Sequence, residues 1–328
     1  MRNLRRPKVA LPTLTGTGKG ARKAEEHQKA KASDPATELA FPEHWNEADV
    51  RGALYAMHGW ACAYCQCELP RNDRGDVEHF RPKDGGYWWL AYSFENYLLA
   101  CRVCNSARKS DRFPIVPGEA PVEYVSRGNL ANEARLLADP ACDPVESWMR
   151  VDWMSLTDEG FVKEVPRLRP GSPELARTQA TIRFFRLNED PDLRRPRVRA
   201  LDKASNALSR HSPEDIAGLR RASSRYKPYG ITVRNFLEDA RPDLLPSSRE
   251  EIDWLLEDID ERLDAAHRLL WTGPDEPRHC EKMIRELSWA LAVLWKDPPP
   301  GTTAAAMEAW LAAKGWKAEV EALSAELG

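Results

Sequence analysis

Two Cys-x-x-Cys pairs constrain the fold of this chain more than any other feature of its sequence. Cys62–Cys65 and Cys101–Cys104 each bring two thiols onto one turn, and 35 residues separate the pairs. Four thiolates in two such knuckles form a closed tetrahedral ligand set for one zinc ion. We therefore predict a structural zinc site that holds the intervening residues between its halves. Cys67, two residues after Cys65, stays open as a substitute ligand.

Cysteine usage also indicates the compartment. Five of the seven cysteines lie between residues 62 and 104, and no apolar signal segment follows the basic N-terminus. A secreted disulfide framework is therefore not expected, and clustered thiols predict a metal site in a reducing cytoplasm. With 30% charged residues and no long apolar run, we expect no membrane association.

The segment between the cysteine pairs carries residues suited to hydrolysis. Asp76 to Phe80 predicts a strand that ends at Pro82, with Val77 and His79 facing one side. Imidazole, with a reference pKa of about 6.5, suits a general base near pH 7. Carboxylates such as that of Glu78 are ligands that Mg²⁺ or Mn²⁺ prefers. These are the components of metal-dependent phosphodiester hydrolysis.

The order His79, Asn96, Asn105 with flanking cysteine knuckles resembles the HNH (ββα-metal) endonuclease family. The resemblance implies that His79 is the general base and that Asn96 holds the hairpin loop and the base in place. It also implies that Glu78 and Asn105 bind the catalytic Mg²⁺ or Mn²⁺. Asp76 stays open as a substitute for Glu78, because the family often has Asp before the base.

The same resemblance implies a role for two cations after Asn105. Arg108 and Lys109 would lie one helical turn along from Asn105, where they could contact the scissile or an adjacent phosphate. DNA is the favoured nucleic acid, because HNH sites cut DNA more often than RNA.

A narrower resemblance is carried by Val77–Lys83, Cys101–Lys109 and Arg112–Pro114, and more weakly by Leu136–Pro140 and Thr181–Asn188. These segments are similar to the HNH subunits of Septu-type and retron-associated anti-phage defence systems. That similarity implies a nuclease effector that partners an ABC/SMC-type ATPase. Two alternatives stay open: a stand-alone restriction-like nuclease, and a zinc-stabilised nucleic-acid-binding module without activity.

Hydrophobic periodicity predicts that most of the remaining chain is helical. Apolar residues at spacings of three and four predict helices over 42–60, 250–270, 280–294 and 304–316, and Ser172-Pro173 is a typical helix start. Residues 151–165 predict a hairpin. The predicted fold class is α+β, mostly helical: a ββα-metal core with four-cysteine zinc knuckles and a helical C-terminal region.

Three domains are predicted from these patterns. Residues 1–40 form a basic flexible arm, 41–118 form the nuclease domain with its zinc, and 119–328 form a mostly helical domain for substrate or partner binding.

Charge is segregated along the chain although the net charge is only -3. Residues 1–35 carry nine Lys or Arg against three acids, and 183–227 carry twelve against six. Residues 238–264 carry eleven acids against three Arg. We hypothesise that the basic segments lie on the substrate side and that the acidic helix docks a basic partner surface.

Overall fold

The computed structural model describes residues 1–69, 74–124, 130–154, 160–272 and 277–327. Within these ranges the protein is mostly helical, with two small two-stranded sheets. The α-helices are α1 (Lys19–Ser33), α2 (Ala48–His58), α3 (Pro173–Phe184), α4 (Pro191–Arg210), α5 (Pro213–Ala222), α6 (Gly230–Ala240), α7 (Ser248–Thr272), α8 (Pro277–Lys296), α9 (Ala304–Lys314) and α10 (Lys317–Glu326). The paired strands are β1 (Asp76–His79) with β2 (Tyr97–Ala100), and β3 (Met149–Val151) with β4 (Val162–Glu164).

Two compact units make up the chain, and neither is continuous in sequence. The first comprises Met1–Leu4, Trp60–Trp88 and Leu98–Pro246; the second comprises Arg5–Gly59, Trp89–Tyr97 and Ser247–Gly328. The helices α3 to α6 therefore belong to the same unit as both cysteine pairs. The domain boundaries predicted at residues 40 and 118 stay predictions.

In the second unit, α8 is the central helix, and α2, α7 and α10 pack against it. Gly52 allows the close approach of α2, because a Cβ atom there would lie 2.5 Å from the Cβ atom of Trp289. Beside this contact, Arg51 Nε lies 3.3 Å from Glu286 Oε1, with both side chains buried. Each of these two buried charges compensates the other, because an unpaired charge without access to water would be strongly destabilising.

The segment for which the sequence predicts a flexible arm contains α1 and several fixed contacts. Arg5 Nη2 lies 2.7 Å from Asp297 Oδ1, and the backbone N–H of Lys8 donates to the same carboxylate. His27 is buried with a ring nitrogen 2.9 Å from the Ala40 carbonyl oxygen. Alanine, lysine and glutamate dominate α1, and these residues favour helix. Helix propensity, which a count of net charge ignores, accounts for α1, and the arm over residues 1–40 stays a prediction.

The first unit contains the predicted hairpin and the predicted start of α3. In the antiparallel pair of β3 and β4, Met149 lies opposite Glu164 and Val151 opposite Val162. The turn of this predicted hairpin, expected over residues 157–160, lies mostly outside the described residues, which omit 155–159. Ser172 caps α3, since its side chain accepts a hydrogen bond from the Leu175 N–H.

The helices predicted over residues 42–60, 250–270 and 280–294 are present in the second unit, and their bounds differ from those predicted. The helix predicted over 42–60 is α2, which begins at Ala48 after a short 3-10 turn (His44–Asn46). The stripe over 250–270 is α7, and the stripe over 280–294 lies in α8. In the described part of the chain, no helix has the length and apolar character needed to cross a membrane.

Candidate metal centre and strand–helix site

The four predicted zinc ligands lie together. The Sγ atoms of Cys62, Cys65, Cys101 and Cys104 are all within 4.8 Å of one another. Zn–S bonds of about 2.3 Å at tetrahedral angles imply sulfur–sulfur separations of about 3.8 Å. The Sγ atoms of Cys65 and Cys101 are 3.8 Å apart. The cluster could therefore hold one metal ion such as zinc, and Cys67 is not one of its four members.

Backbone hydrogen bonds bring the two cysteine pairs together. The Cys62 N–H donates to the Cys67 carbonyl, and the Gln66 N–H donates to the Cys62 carbonyl, which closes the first knuckle. Gln66 adopts a left-handed conformation with φ of 65° in this turn. The Ala63 N–H donates to the Leu99 carbonyl of β2 at 2.9 Å. The first knuckle is thereby joined to the strand that leads into the second.

Protonation within the cluster shows why a cation suits it. The hydrogen bond with Cys104 lowers the pKa of Cys101 to about 5, while the same interaction raises the pKa of Cys104 well above its usual value. Buried thiolates repel one another, so the cluster shares its protons when no positive charge is present. A divalent ion would favour all four thiolates at once.

A buried ion pair links β1 to the helical turn that contains Cys104 of the second knuckle. This turn, Val103–Lys109, is π-helical. Lys109 Nζ lies 2.7 Å from Glu78 Oε1 and donates to the His79 carbonyl oxygen at 2.8 Å. Both side chains are at least 98% buried. Lys109, expected at a phosphate, instead contacts the carboxylate expected at the catalytic metal.

Burial controls the protonation of Glu78. Desolvation raises its pKa to about 7, and the attraction of Lys109 opposes this shift without cancelling it. The Tyr64 hydroxyl donates a further hydrogen bond to Glu78 at 3.3 Å. Lys109 and Tyr64 thus both contact the Oε1 atom of this side chain.

Asp76 and Asn105 form a second contact between the same two elements. Asn105 Nδ2 lies 2.9 Å from Asp76 Oδ2, and both side chains are partly exposed. A carboxylate and a side-chain amide therefore meet where water can reach them. Asp76, the alternative left open for Glu78, is the carboxylate that the structure brings to Asn105.

His79 and Asn96 occupy different units of the structure. The His79 side chain is half-buried at the end of β1. Asn96 is buried in the second unit, where its Nδ2 atom donates to the Leu90 carbonyl at 3.3 Å. Tyr97 donates to the neighbouring Ala91 carbonyl at 2.5 Å. Asn96 and Tyr97 together hold the loop that precedes β2.

Arg108 points into the first unit and not outward. Its guanidinium donates to the Phe185 carbonyl and to the Asp190 carboxylate, and it is buried. Phe185 in turn stacks on Tyr64 of the first knuckle, with ring centroids 4.0 Å apart. The segment Thr181–Asn188, which carried the weaker part of the resemblance, is therefore in contact with the site. Asp190 and Tyr64 were not singled out from the sequence.

A further network follows β1. Arg81 Nε lies 2.7 Å from Glu133 Oε2, and the Tyr87 hydroxyl donates to the other oxygen of the same carboxylate at 2.6 Å. Phe80 and Phe113 meet edge to face, with ring centroids 5.4 Å apart. Arg81 thus anchors the end of β1 to Glu133, and Phe80 anchors it to Phe113. Glu133 was missed because its sequence surroundings read as loop.

Similarity to known proteins covers part of the chain. Over 122 residues it is 31% identical to Septu protein PtuB of Bacillus mycoides (strain KBAB4). The alignment takes in 31% of this chain and 41% of that protein, so the chain spans less than half the length of the relative. No family model matches the chain, and no solved structure matches it.

Proposed function

We propose that this protein is a metal-dependent endonuclease of the HNH type that hydrolyses phosphodiester bonds of nucleic acid, with DNA as the favoured substrate. The observation that carries the proposal is the strand–helix contact beside the cysteine cluster. There, Asp76 and Asn105 meet at 2.9 Å on partly exposed surface, and His79, which is also partly exposed, is the last residue of the same strand. The proposal is supported by the order of elements, since two paired strands, β1 and β2, are followed by the helical turn Val103–Lys109.

His79 is the proposed general base. A neutral imidazole would take the proton of the attacking water, with the strand fixed beneath it by the hydrogen bond from Lys109 to the His79 carbonyl. Asn96 has a positioning role, because its amide holds the loop before β2.

Asp76 and Asn105 are the proposed holders of Mg²⁺ or Mn²⁺, with Glu78 as the alternative carboxylate. Their oxygens are the type that these ions prefer, and their partial exposure leaves room for water ligands. A bound divalent ion would stabilise the charge that develops on the phosphate and the leaving oxygen. Arg108 and Lys109, expected to contact phosphate, are buried in ion pairs and suit the positioning of the turn.

Plasmid nicking tests this proposal. Wild-type protein should nick supercoiled DNA with added Mg²⁺ or Mn²⁺, and His79→Ala should lose on the order of a hundred- to ten-thousand-fold in rate while it keeps its fold and zinc. His279→Ala, on α8 outside the site, is the matched control. Nicking by His79→Ala at the wild-type rate would refute the base assignment. DNA binding without any nicking by the wild type would favour a non-catalytic binding module.

The similarity to Septu protein PtuB supports a role as the nuclease effector of an anti-phage defence complex. We propose an ABC/SMC-type ATPase as the partner. Coexpression with an ATPase encoded beside this chain should yield a co-purifying complex that lowers phage plaque counts. His79→Ala should keep the complex and lose the protection. Protection without an ATPase would favour a stand-alone nuclease.

A further inference from the structure

A cavity of about 800 Å³ lies in the first unit, and its lining includes neither the four clustered cysteines nor the residues of β1. It is formed by α4, by α5 and by the segment that leads into α6. Five cations contribute to its lining: Arg199, Lys203, Arg210, Arg221 and Lys227. We call this cavity the basic groove.

The basic groove carries an excess of positive charge. Glu214 and Asp215 are its acidic lining residues, and Arg210 pairs with Asp215 at 2.6 Å. Arg199 and Lys203 are exposed, and neither forms an ion pair or hydrogen bond with any residue that the structure describes. Their charges are available to an anionic ligand.

The cations of α4 form a row. Arg199 and Lys203 are four residues apart, and Arg210 follows seven residues later on the same lining face. At about 1.5 Å per residue, they extend over about 16 Å of the helix. Arg195, exposed one turn earlier, lengthens the row to about 22 Å. A row of this length suits successive phosphates of a polymer better than the adjacent phosphates of one nucleotide.

The floor of the basic groove is apolar. Ala200, Ala204 and Leu219 line it, together with the ring-bearing Tyr229. A cationic rim over an apolar and aromatic floor is the arrangement that binds the backbone of a single strand and accepts its unpaired bases. Duplex recognition instead inserts a protruding element into a groove about 12 Å wide, whereas these cations line a cleft.

Tyr229 has a fixed position. Its backbone N–H donates to the Gln66 carbonyl of the first cysteine knuckle at 3.1 Å. The next residue must be glycine, because a Cβ atom on Gly230 would lie 1.9 Å from the Ser224 carbonyl oxygen. The end of the basic groove is therefore attached directly to the knuckle that carries the candidate metal ligands.

We propose that the basic groove binds a single strand of nucleic acid through its phosphates. This inference deepens the proposed nuclease function, on which its biological role rests, and identifies an unpaired strand as the form of substrate held beside the site. The observation that connects the basic groove to the candidate metal site is the hydrogen bond from the Tyr229 N–H to the Gln66 carbonyl of the first cysteine knuckle.

Fluorescence anisotropy tests the proposal without any cleavage. The probe is a labelled 20-nucleotide single-stranded DNA, titrated with full-length protein in buffer without added divalent ions. Arg199→Ala with Lys203→Ala should weaken binding at least tenfold. Loss of two phosphate contacts should also lower the slope of log K against log salt by about 1.4, since each contact contributes about 0.7 for single strands.

The control variant is Arg169→Ala with Arg278→Ala, which removes two exposed cations outside the groove and should bind as the wild type does. Equal affinity and salt slope for the groove variant and the wild type would overturn the proposal. Tighter binding of a duplex of the same sequence would overturn the single-strand assignment, and full competition by ATP at micromolar concentration would overturn the polymer assignment.

The two proposals fail separately. If the groove variant binds normally while the wild type nicks plasmid, the groove assignment is wrong and the nuclease proposal stands. If the variant loses strand binding while the wild type shows no nicking with any divalent ion, the groove is a binding site of a protein that is not a nuclease. His279→Ala should leave strand binding unchanged in either case.

Discussion

Lys109 Nζ lies 2.7 Å from Glu78 Oε1, in a place where neither side chain reaches solvent. The pairing follows from two matching repeats. Asp76 and Glu78 are two residues apart on β1, about 6.6 Å along the strand, and Asn105 and Lys109 are four residues apart, about one turn of the π-helical segment Val103–Lys109. Asn105 therefore meets Asp76, and Lys109, four residues later, meets Glu78. The buried pair of Glu78 and Lys109 fixes the turn against β1, and the pair of Asp76 and Asn105 stays accessible to water.

Removal of Lys109 should destabilise the protein strongly. At pH 8, above the Glu78 pKa of about 7, Lys109→Met forces this carboxyl either to keep a buried charge without its cation or to take up a proton, and we expect a loss on the order of 3 kcal/mol in the free energy of unfolding. Adding Glu78→Gln to this variant should recover much of the loss, because no charge then remains to be compensated. Urea unfolding monitored by circular dichroism measures both values.

The control for this pair is an exposed one. Lys314 lies 2.6 Å from Asp260 near the surface, and Lys314→Met should cost less than about 1 kcal/mol. A loss of that small size for Lys109→Met would show that the buried pair does not anchor the turn.

Glu78 should also make stability depend on pH. Its folded-state pKa of about 7 lies above the ordinary carboxyl value, so the folded state binds this proton more tightly than the unfolded state. The stabilisation from the bound proton is complete below about pH 4.5 and is lost as pH rises through 7. Without divalent ions, the wild type should therefore lose stability relative to Glu78→Gln between pH 5 and pH 8.

Thermal melts of both proteins across this range provide the measurement, and the difference should grow with pH. A difference that shrinks with pH would mean that the attraction of Lys109 outweighs desolvation and that the Glu78 carboxylate is the preferred form in the folded protein.

The cysteine cluster should hold one zinc ion per chain. Elemental analysis of purified protein should give about one zinc for the wild type and for Cys67→Ser, because Cys67 is outside the four-sulfur group. Cys101→Ser should lose zinc and solubility, since one of four thiolates is removed. Cys142→Ser, at an exposed cysteine outside the cluster, is the control. If Cys67→Ser lost its zinc while Cys65→Ser retained it, Cys67 and not Cys65 would be the fourth zinc ligand.

Gly52 should be intolerant of any side chain. Gly52→Ala places a Cβ atom 2.5 Å from the Cβ atom of Trp289, and the resulting shift of α2 from α8 should cost about 1–3 kcal/mol. Gly218 in α5 offers a matched control, because a Cβ atom there has no neighbour within 4 Å. Gly218→Ala should stabilise the protein slightly by its higher helix propensity. Chemical denaturation of the two variants tests the pair, and equal effects would contradict the close contact.

The sequence predicted those features that depend on local spacing. The cysteine cluster could be predicted because the spacing of two Cys-x-x-Cys pairs is enough to define a metal ligand set. The helix α7 could be predicted because a long row of apolar residues at spacings of three and four is compatible only with an amphipathic helix. The pairing of Glu78 with Lys109 could not be predicted in this way. It depends on how a strand and a helical turn meet, which no local pattern specifies.

Charge counts were a weaker guide because they ignore burial. Arg197 contributes to the basic segment 183–227, yet it is buried and donates to the Gly160 carbonyl at 2.7 Å. Arg194 lies over the Phe161 ring, 5.0 Å from its centroid. On the acidic helix α7, Asp260 accepts a hydrogen bond from Trp316 and pairs with Lys314. Part of each charged face therefore stabilises the protein's own fold.

The last prediction decides which carboxylate binds the catalytic ion. Asp76 contacts Asn105 on partly exposed surface, whereas Glu78 is buried against Lys109. We expect Asp76→Asn to lower the nicking rate at least a hundredfold at limiting Mn²⁺ and to raise the Mn²⁺ concentration for half-maximal rate. Glu78→Gln should leave that concentration within about threefold of the wild type. Titration of nicking against Mn²⁺ at fixed pH measures the two variants side by side, with zinc content as the control for the fold. If Glu78→Gln shifts the Mn²⁺ dependence and Asp76→Asn does not, Glu78 is the ligand and the buried pair must open when the ion binds.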